Sequence, residues 1–192
     1  MAISLSKGQV LSLNQMSAGL KRLQMGVGWD PAVARGLMAR ITGPKEIDLD
    51  ASVITFDASK TPTSIVYFGK LQSADGEIRH SGDNLTGDGD GDDEAILVDL
   101  TLLDARIETL VFFVNSYQGH TFDEVDNAYC RVINDETGEE LCRFTLTEKS
   151  AHTGVVMAVL SRNDDDWLIK AVGMPGVGRT ADQLVPDALR HI

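Results

Sequence analysis

Apolar residues recur at every second position through most of nine short stretches, and that period confines the chain to strands with one buried face. In Leu23-Gln24-Met25-Gly26-Val27-Gly28-Trp29 the apolar side chains fall on odd positions. The other eight are Asp48–Phe56, Ser64–Phe68, Ala95–Leu100, Thr109–Tyr117, Ala128–Ile133, Glu140–Leu146, Thr153–Ser161 and Trp167–Gly173. Turn chemistry at Asp135-Glu136-Thr137-Gly138 and Asn163-Asp164-Asp165-Asp166 separates neighbouring stretches. Strands this short at this spacing predict an all-β chain, a two-sheet β-sandwich. One or two short helices are expected, at Thr121–Val125 and at Ala181–Leu189, where Thr180 is placed to cap. A loop is expected from Asp30 to about Glu46. The 192 residues suit a single domain, 1–192, able to bury a core without disulfides or metal.

The strongest chemical signal interrupts this pattern. Gly82-Asp83-Asn84-Leu85-Thr86-Gly87-Asp88-Gly89-Asp90-Gly91-Asp92-Asp93-Glu94 holds six carboxylates between Asp83 and Glu94 and no cation. An even spread of the chain's 29 acidic residues would put about two there. Like charges ~5 Å apart repel by roughly 1 kcal/mol even in water, and a divalent ion removes that cost. Glycines at 87, 89 and 91 let the backbone fold so that carboxylates and carbonyls converge. Such an oxygen-rich, yielding loop suits calcium; magnesium wants a stiffer octahedron, and zinc wants Cys or His. The loop is not an EF-hand. With Asp88, Asp90 and Asp92 at loop positions 1, 3 and 5, the required glycine is Asp93 and the last ligand is Asp99.

Asp48 and Asp50, two apart at a strand start, face one way, and Asp30 stands where another strand runs out. Together with the loop they exceed what one ion needs, so two calcium ions sharing carboxylates fit the count better. Asp164-Asp165-Asp166 reads as a hairpin tip. The net charge of −12 argues against nucleic acid and against unaided binding to anionic membrane. Neither an apolar signal segment after Lys7 nor an apolar run near the ~20 residues of a membrane helix is present, so a cytoplasmic protein with reduced cysteines is expected.

These residues resemble the TerD family. The resemblance rests on Ser4-Leu5-Ser6-Lys7-Gly8, Gly26-Val27-Gly28-Trp29-Asp30, Asp48-Leu49-Asp50-Ala51-Ser52, the stretch from His80 to Glu94, and Asn127-Ala128-Tyr129-Cys130-Arg131-Val132. Val114-Asn115-Ser116 and His152-Thr153-Gly154 bring it nearest to the TerZ branch. The stretch from Pro31 to Glu46 is longer than usual, and Val27 stands where leucine is common. The resemblance implies a bacterial tellurite-resistance and stress-response protein with a calcium-binding sandwich and no known catalysis. It further implies work at the inner face of the cytoplasmic membrane beside TerB-type and membrane-embedded TerC-type partners. By match of motif, Asp30, Asp48, Asp50, Asp83, Asn84, Asp88, Asp90, Asp92 and Glu94 become the expected metal ligands or their neighbours.

Catalysis is not expected. His80 borders the acidic loop, but a histidine there is more often structural than a base, and no nucleophile elbow, phosphate-binding glycine loop or zinc spacing accompanies it. Cys130 and Cys142 lie equally far from Glu136, the expected turn centre, which would set them opposite each other on neighbouring strands. Alternation with Val132, Phe144 and Leu146 turns both to the core. The competing functional reading is a calcium-dependent membrane-surface module of C2 type; against it, only Leu85 in the acidic loop is a bulky apolar residue.

Overall fold

The computed structural model describes residues 2–31, 47–85, 91–146 and 151–192. Asp88, Asp90 and most of the expected loop from Asp30 to Glu46 lie outside them. Twelve strands appear among the described residues: β1 Ile3–Ser4, β2 Val10–Ser12, β3 Arg22–Pro31, β4 Asp50–Asp57, β5 Pro62–Val66, β6 Ile78–His80, β7 Glu94–Asp99, β8 Ile107–Asn115, β9 Val125–Asn134, β10 Glu140–Thr145, β11 Gly154–Asn163 and β12 Asp166–Gly176. They form two six-stranded sheets, β1-β10-β9-β3-β7-β6 and β2-β12-β11-β8-β4-β5. Every pairing is antiparallel except that of β1 with β10. The expected β-sandwich is present, and each of the nine expected stretches holds a strand, though β4 begins at Asp50, β5 ends at Val66 and β8 ends at Asn115.

The two sheets bury their faces differently. On β3 the odd residues Leu23, Met25, Val27 and Trp29 enter the core between the sheets. The second sheet is buried on both sides, so β4 and β11 read as nearly continuous apolar runs. Its outer face carries Ile54, Phe56, Phe113, Val156 and Val159, covered by Ala181, Leu184 and Ala188. Those covering residues belong to a 3-10 turn, Ala181–Leu184, followed by one helical turn, Val185–Ala188. Thr180 precedes it as expected but makes no side-chain cap. A further short helix, Leu13–Met16, is capped by Ser12 Oγ. Asp166 is more than a hairpin tip: its carboxylate accepts from Asn14 N at 3.0 Å and so fastens that helix to β12. No helix among the described residues is long and apolar enough to cross a membrane.

Register places one functional end. Asp50 pairs with Asn115, Asn115 with Gly154, and Gly154 with Gly176, so these four residues form one row across the second sheet. Asp48, Ser116, His152 and Val177 lie just beyond that row.

The cysteines are not opposite each other. The register shifts between Glu140 and Cys142, so Cys142 faces Val132 and Cys130 faces Phe144. The extra residue in β10 moves the thiols to a diagonal while leaving both in the core. Burial pushes both thiols up to about 12, which keeps them neutral and poorly nucleophilic at pH 7. A thiol reagent is expected to leave the native protein unmodified and to label both cysteines once denaturant is added. Replacing either with serine should cost about 1–3 kcal/mol, measured by denaturant unfolding.

Candidate metal centre

Asp48 and Asp50 reach the end of the sandwich because their neighbours do not. Ile47, Leu49 and Ala51 are buried in the core, so alternation turns residues 48 and 50 to the other side. The Trp29 indole donates to the Ile47 carbonyl at 2.9 Å and pins the approach to β4. Asp83 arrives from the turn after β6. One carboxylate oxygen from each of Asp48, Asp50 and Asp83 lies within 4.8 Å of the others.

Three carboxylates share this space with little compensation. Gln118 Nε2 donates to Asp48 at 2.9 Å, and Tyr117 N donates to Asp50 at 3.0 Å. Asp48 and Asp50 are only 6% and 3% exposed, and Asp48 Oδ1 is buried with no hydrogen-bond partner. Among the described residues no lysine or arginine pairs with any of the three. Burial, then repulsion from Asp48, Glu94 and Asp83, outweighs the Tyr117 hydrogen bond and raises Asp50 to about 7. Burial raises Asp48 as well. An orphaned buried oxygen in a cluster of hard, anionic donors fits a hard divalent cation.

The remaining expected residues divide into distinct places. Asp30 accepts from Asn127 Nδ2 at 2.7 Å and shares a second recess with Asp93. Asp93 accepts from Trp29 N at 2.8 Å and Asn84 Nδ2 at 3.2 Å, and burial with nearby Asp30 raises it. Asp92 turns elsewhere: Arg131 Nε donates to it at 2.7 Å and Gln24 Nε2 at 3.2 Å. The glycines of β3 make this possible. A Cβ on Gly26 would sit 1.9 Å from Asp92 Oδ2, and one on Gly28 would strike the Tyr129 ring at 2.5 Å.

Glu94 is a tie between the sheets. β5 stops pairing with β4 at Val53, leaving Ala51 without a strand partner on that side. Glu94 Oε2 accepts from Ala51 N at 2.6 Å, and His80 Nε2 lies 3.0 Å from the Ala51 carbonyl. Gly82 N donates to His80 Nδ1, which leaves the ring proton on Nε2, 3.3 Å from Glu94 Oε2. Asn84 N donates to Glu94 Oε1 at 3.1 Å. His80 is therefore structural in this arrangement. Neither the role of Asp93 nor the tie was read from the sequence. No local signal joined Asp93 to Trp29, because Trp29 belongs to β3 and Asp93 precedes β7.

The fold and the site define a β-sandwich that gathers buried carboxylates at one end. A family model of the TerD domain matches residues 1–185, and the chain belongs to the TerD-domain family. It is 46% identical to tellurium resistance protein TerZ of Serratia marcescens over 99% of this chain and 98% of that protein. Identity to stress response protein SCP2 of Bacillus subtilis (strain 168) is 39%, over 90% of this chain and 92% of that one. The crystal structure of a homologue of telluride resistance protein (TerD) from Streptomyces coelicolor A3(2) superposes with a TM-score of 0.68 at 25% identity, covering 87% of this chain and 96% of that one. This is thus a tellurium-resistance and stress-response family.

Two outcomes separate the roles of these acids. In chelator, Asp50 holds a proton more tightly when folded than the ordinary 3.8 of the unfolded chain, so its contribution to stability is present below about pH 4 and is lost as pH rises to about 7. The melting temperature should fall as pH rises from about 4 to about 7, and Asp50→Asn should flatten that fall; an equal fall in the variant would contradict the assignment. Glu94→Ala should cost roughly 2–4 kcal/mol with or without calcium, because it removes the acceptor of the buried Ala51 N–H and the half-buried Asn84 N–H.

Proposed function

We propose that this chain is a calcium-binding, non-enzymatic interaction module of a tellurium-resistance and stress-response system. The observation that carries the reading is the cluster of buried Asp48 and Asp50 with exposed Asp83, and its unpartnered Asp48 oxygen. Those three residues would hold one ion, and calcium would supply there the positive charge the cluster lacks. Asp30 and Asp93, which share the second recess, would hold a second ion. Asn84 stands between the two places and contacts Glu94 and Asp93. Asp88 and Asp90 belong to the proposed ligand set from the sequence alone. Asp92 and Glu94 act through the fold, by the contacts described above.

Filling the site changes the charge of this end by two or four units and orders the backbone around it. Both changes alter which protein surface can dock there, through electrostatic complementarity and through ordering done beforehand. The partners proposed are the TerB-type and membrane-embedded TerC-type proteins that the family resemblance implies, met in the cytoplasm at the inner membrane face. A second reading, direct calcium-dependent membrane contact, gains support from apolar residues beyond Leu85. Leu85, Tyr117 and Val177 are 58%, 54% and 89% exposed, and Tyr117 and Val177 both lie past the Asp50–Gly176 row.

For dissociation constants of about 10⁻⁷–10⁻⁵ M, millimolar calcium should stabilise the fold by roughly 3–5 kcal/mol. Calorimetric titration should show binding that Asp48→Asn and Asp83→Asn each weaken. An unchanged melting temperature after chelation would refute the calcium reading. Partner capture at two calcium levels then tests the switch, and sedimentation with phosphatidylserine vesicles tests the membrane alternative; a partner held equally at both levels leaves calcium as a structural ion only.

A further inference from the structure

A cleft of about 310 Å³ opens at the same end of the sandwich, between the end of β5, the segment after β8 and the start of the C-terminal turns. That volume is at the small end of ligand-sized pockets. Three aromatic rings line it. The Phe68 centroid lies 5.3 Å from that of Tyr67, with the planes at 84°, and 5.9 Å from that of Tyr117, at 66°. Rings at such steep mutual angles make a corner instead of a flat platform, which favours a compact guest over a planar one. Tyr117 is half-exposed, so the corner is open to solvent.

The charges around the rings point the same way. Asp50 and Asp182 line the cleft. Among the described residues Arg179 is the one cation lining it, and its Nε and Nη2 both donate to the Tyr117 carbonyl, so those donors are engaged by the backbone. The face of an aromatic ring is the negative pole of its quadrupole, so it attracts a cation without a hydrogen bond. Nearby carboxylates add to that attraction and oppose an anionic guest.

We propose that this cleft binds an organic cation of the N-methylated ammonium class, choline in size, through the rings of Tyr67, Phe68 and Tyr117 and the charge of Asp182. A methylated ammonium is rounded, keeps its charge at every pH and offers no N–H that would demand an acceptor. It gains from the rings what an uncharged molecule of equal shape cannot. The site goes beyond the calcium reading and does not require it, because the rings and Asp182 stand outside the Asp48–Asp50–Asp83 trio.

The test uses the full chain in chelator, so that failure of calcium binding leaves the result unaffected. Choline and its uncharged isostere 3,3-dimethylbutan-1-ol are titrated separately while the aromatic NMR signals are followed. Choline should shift Tyr67, Phe68 and Tyr117 saturably in the millimolar range, with the isostere weaker by about tenfold. Phe68→Ala and Asp182→Asn should each weaken choline severalfold without changing the circular dichroism spectrum. Should Phe68→Ala misfold, the Asp182 variant and the comparison of the two guests on the unaltered chain still decide. No saturable shift at these rings, or an isostere that binds as well as choline, overturns the proposal.

Discussion

Mutual repulsion among carboxylates that the backbone holds together is the constraint around which this end of the molecule is organised. Asp48 and Asp50 cannot turn away, because Ile47, Leu49 and Ala51 occupy the core. At an effective dielectric near 20, each pair of charges about 5 Å apart costs on the order of 3 kcal/mol. The chain tolerates the cost by protonation, as the raised Asp50 shows, and by donors such as Gln118 and Tyr117 N–H. The rest of the sandwich supplies the rigidity that keeps these acids from spreading apart. A divalent ion is the chemical species that relieves the repulsion without moving the backbone.

A second layer of polar side chains makes that rigidity possible where strand pairing ends. Glu94 and His80 stand in for a missing neighbour beside Ala51, one taking its N–H and the other facing its carbonyl. Arg131 gathers Asp92 at 2.7 Å and Glu140 at 2.8 Å on the outer face of the first sheet, and the Arg143 and Arg131 guanidiniums hold Glu140 at about 2. Acids in this protein are therefore of two kinds. Asp92 and Glu140 face arginine and bind the fold together, and Asp48, Asp50 and Asp83 face one another.

Much of this was legible in the sequence, and the rest has physical reasons for being hidden. Period two identified the half-buried strands of the first sheet and located Asp48 and Asp50 on one side. β1, β2 and β6 have two or three residues each, too few to show a period. The both-sided burial of β4 and β11 depends on the turns at Ala181–Ala188, after the end of β12 at Gly176, which no local pattern in β4 or β11 announces. In the acidic run the parity was misleading. Asp92 and Asp93 look equivalent in sequence, but Arg131 and Tyr129 claim the first and Trp29 N–H the second. The aromatic corner was invisible for the same reason, since Phe68, Tyr117 and Asp182 meet only in the folded chain.

The central claim is that a hard cation sits among Asp48, Asp50 and Asp83. The most direct measurement is crystallographic: anomalous scattering from crystals grown with strontium, a calcium substitute visible to X-rays. The account predicts a peak at about 2.3–2.6 Å from oxygens of all three aspartates, with the Asp48 oxygen that lacks a partner among its ligands. A map with no peak at these residues, from crystals in which strontium stabilises the protein, would contradict it and move the cation elsewhere.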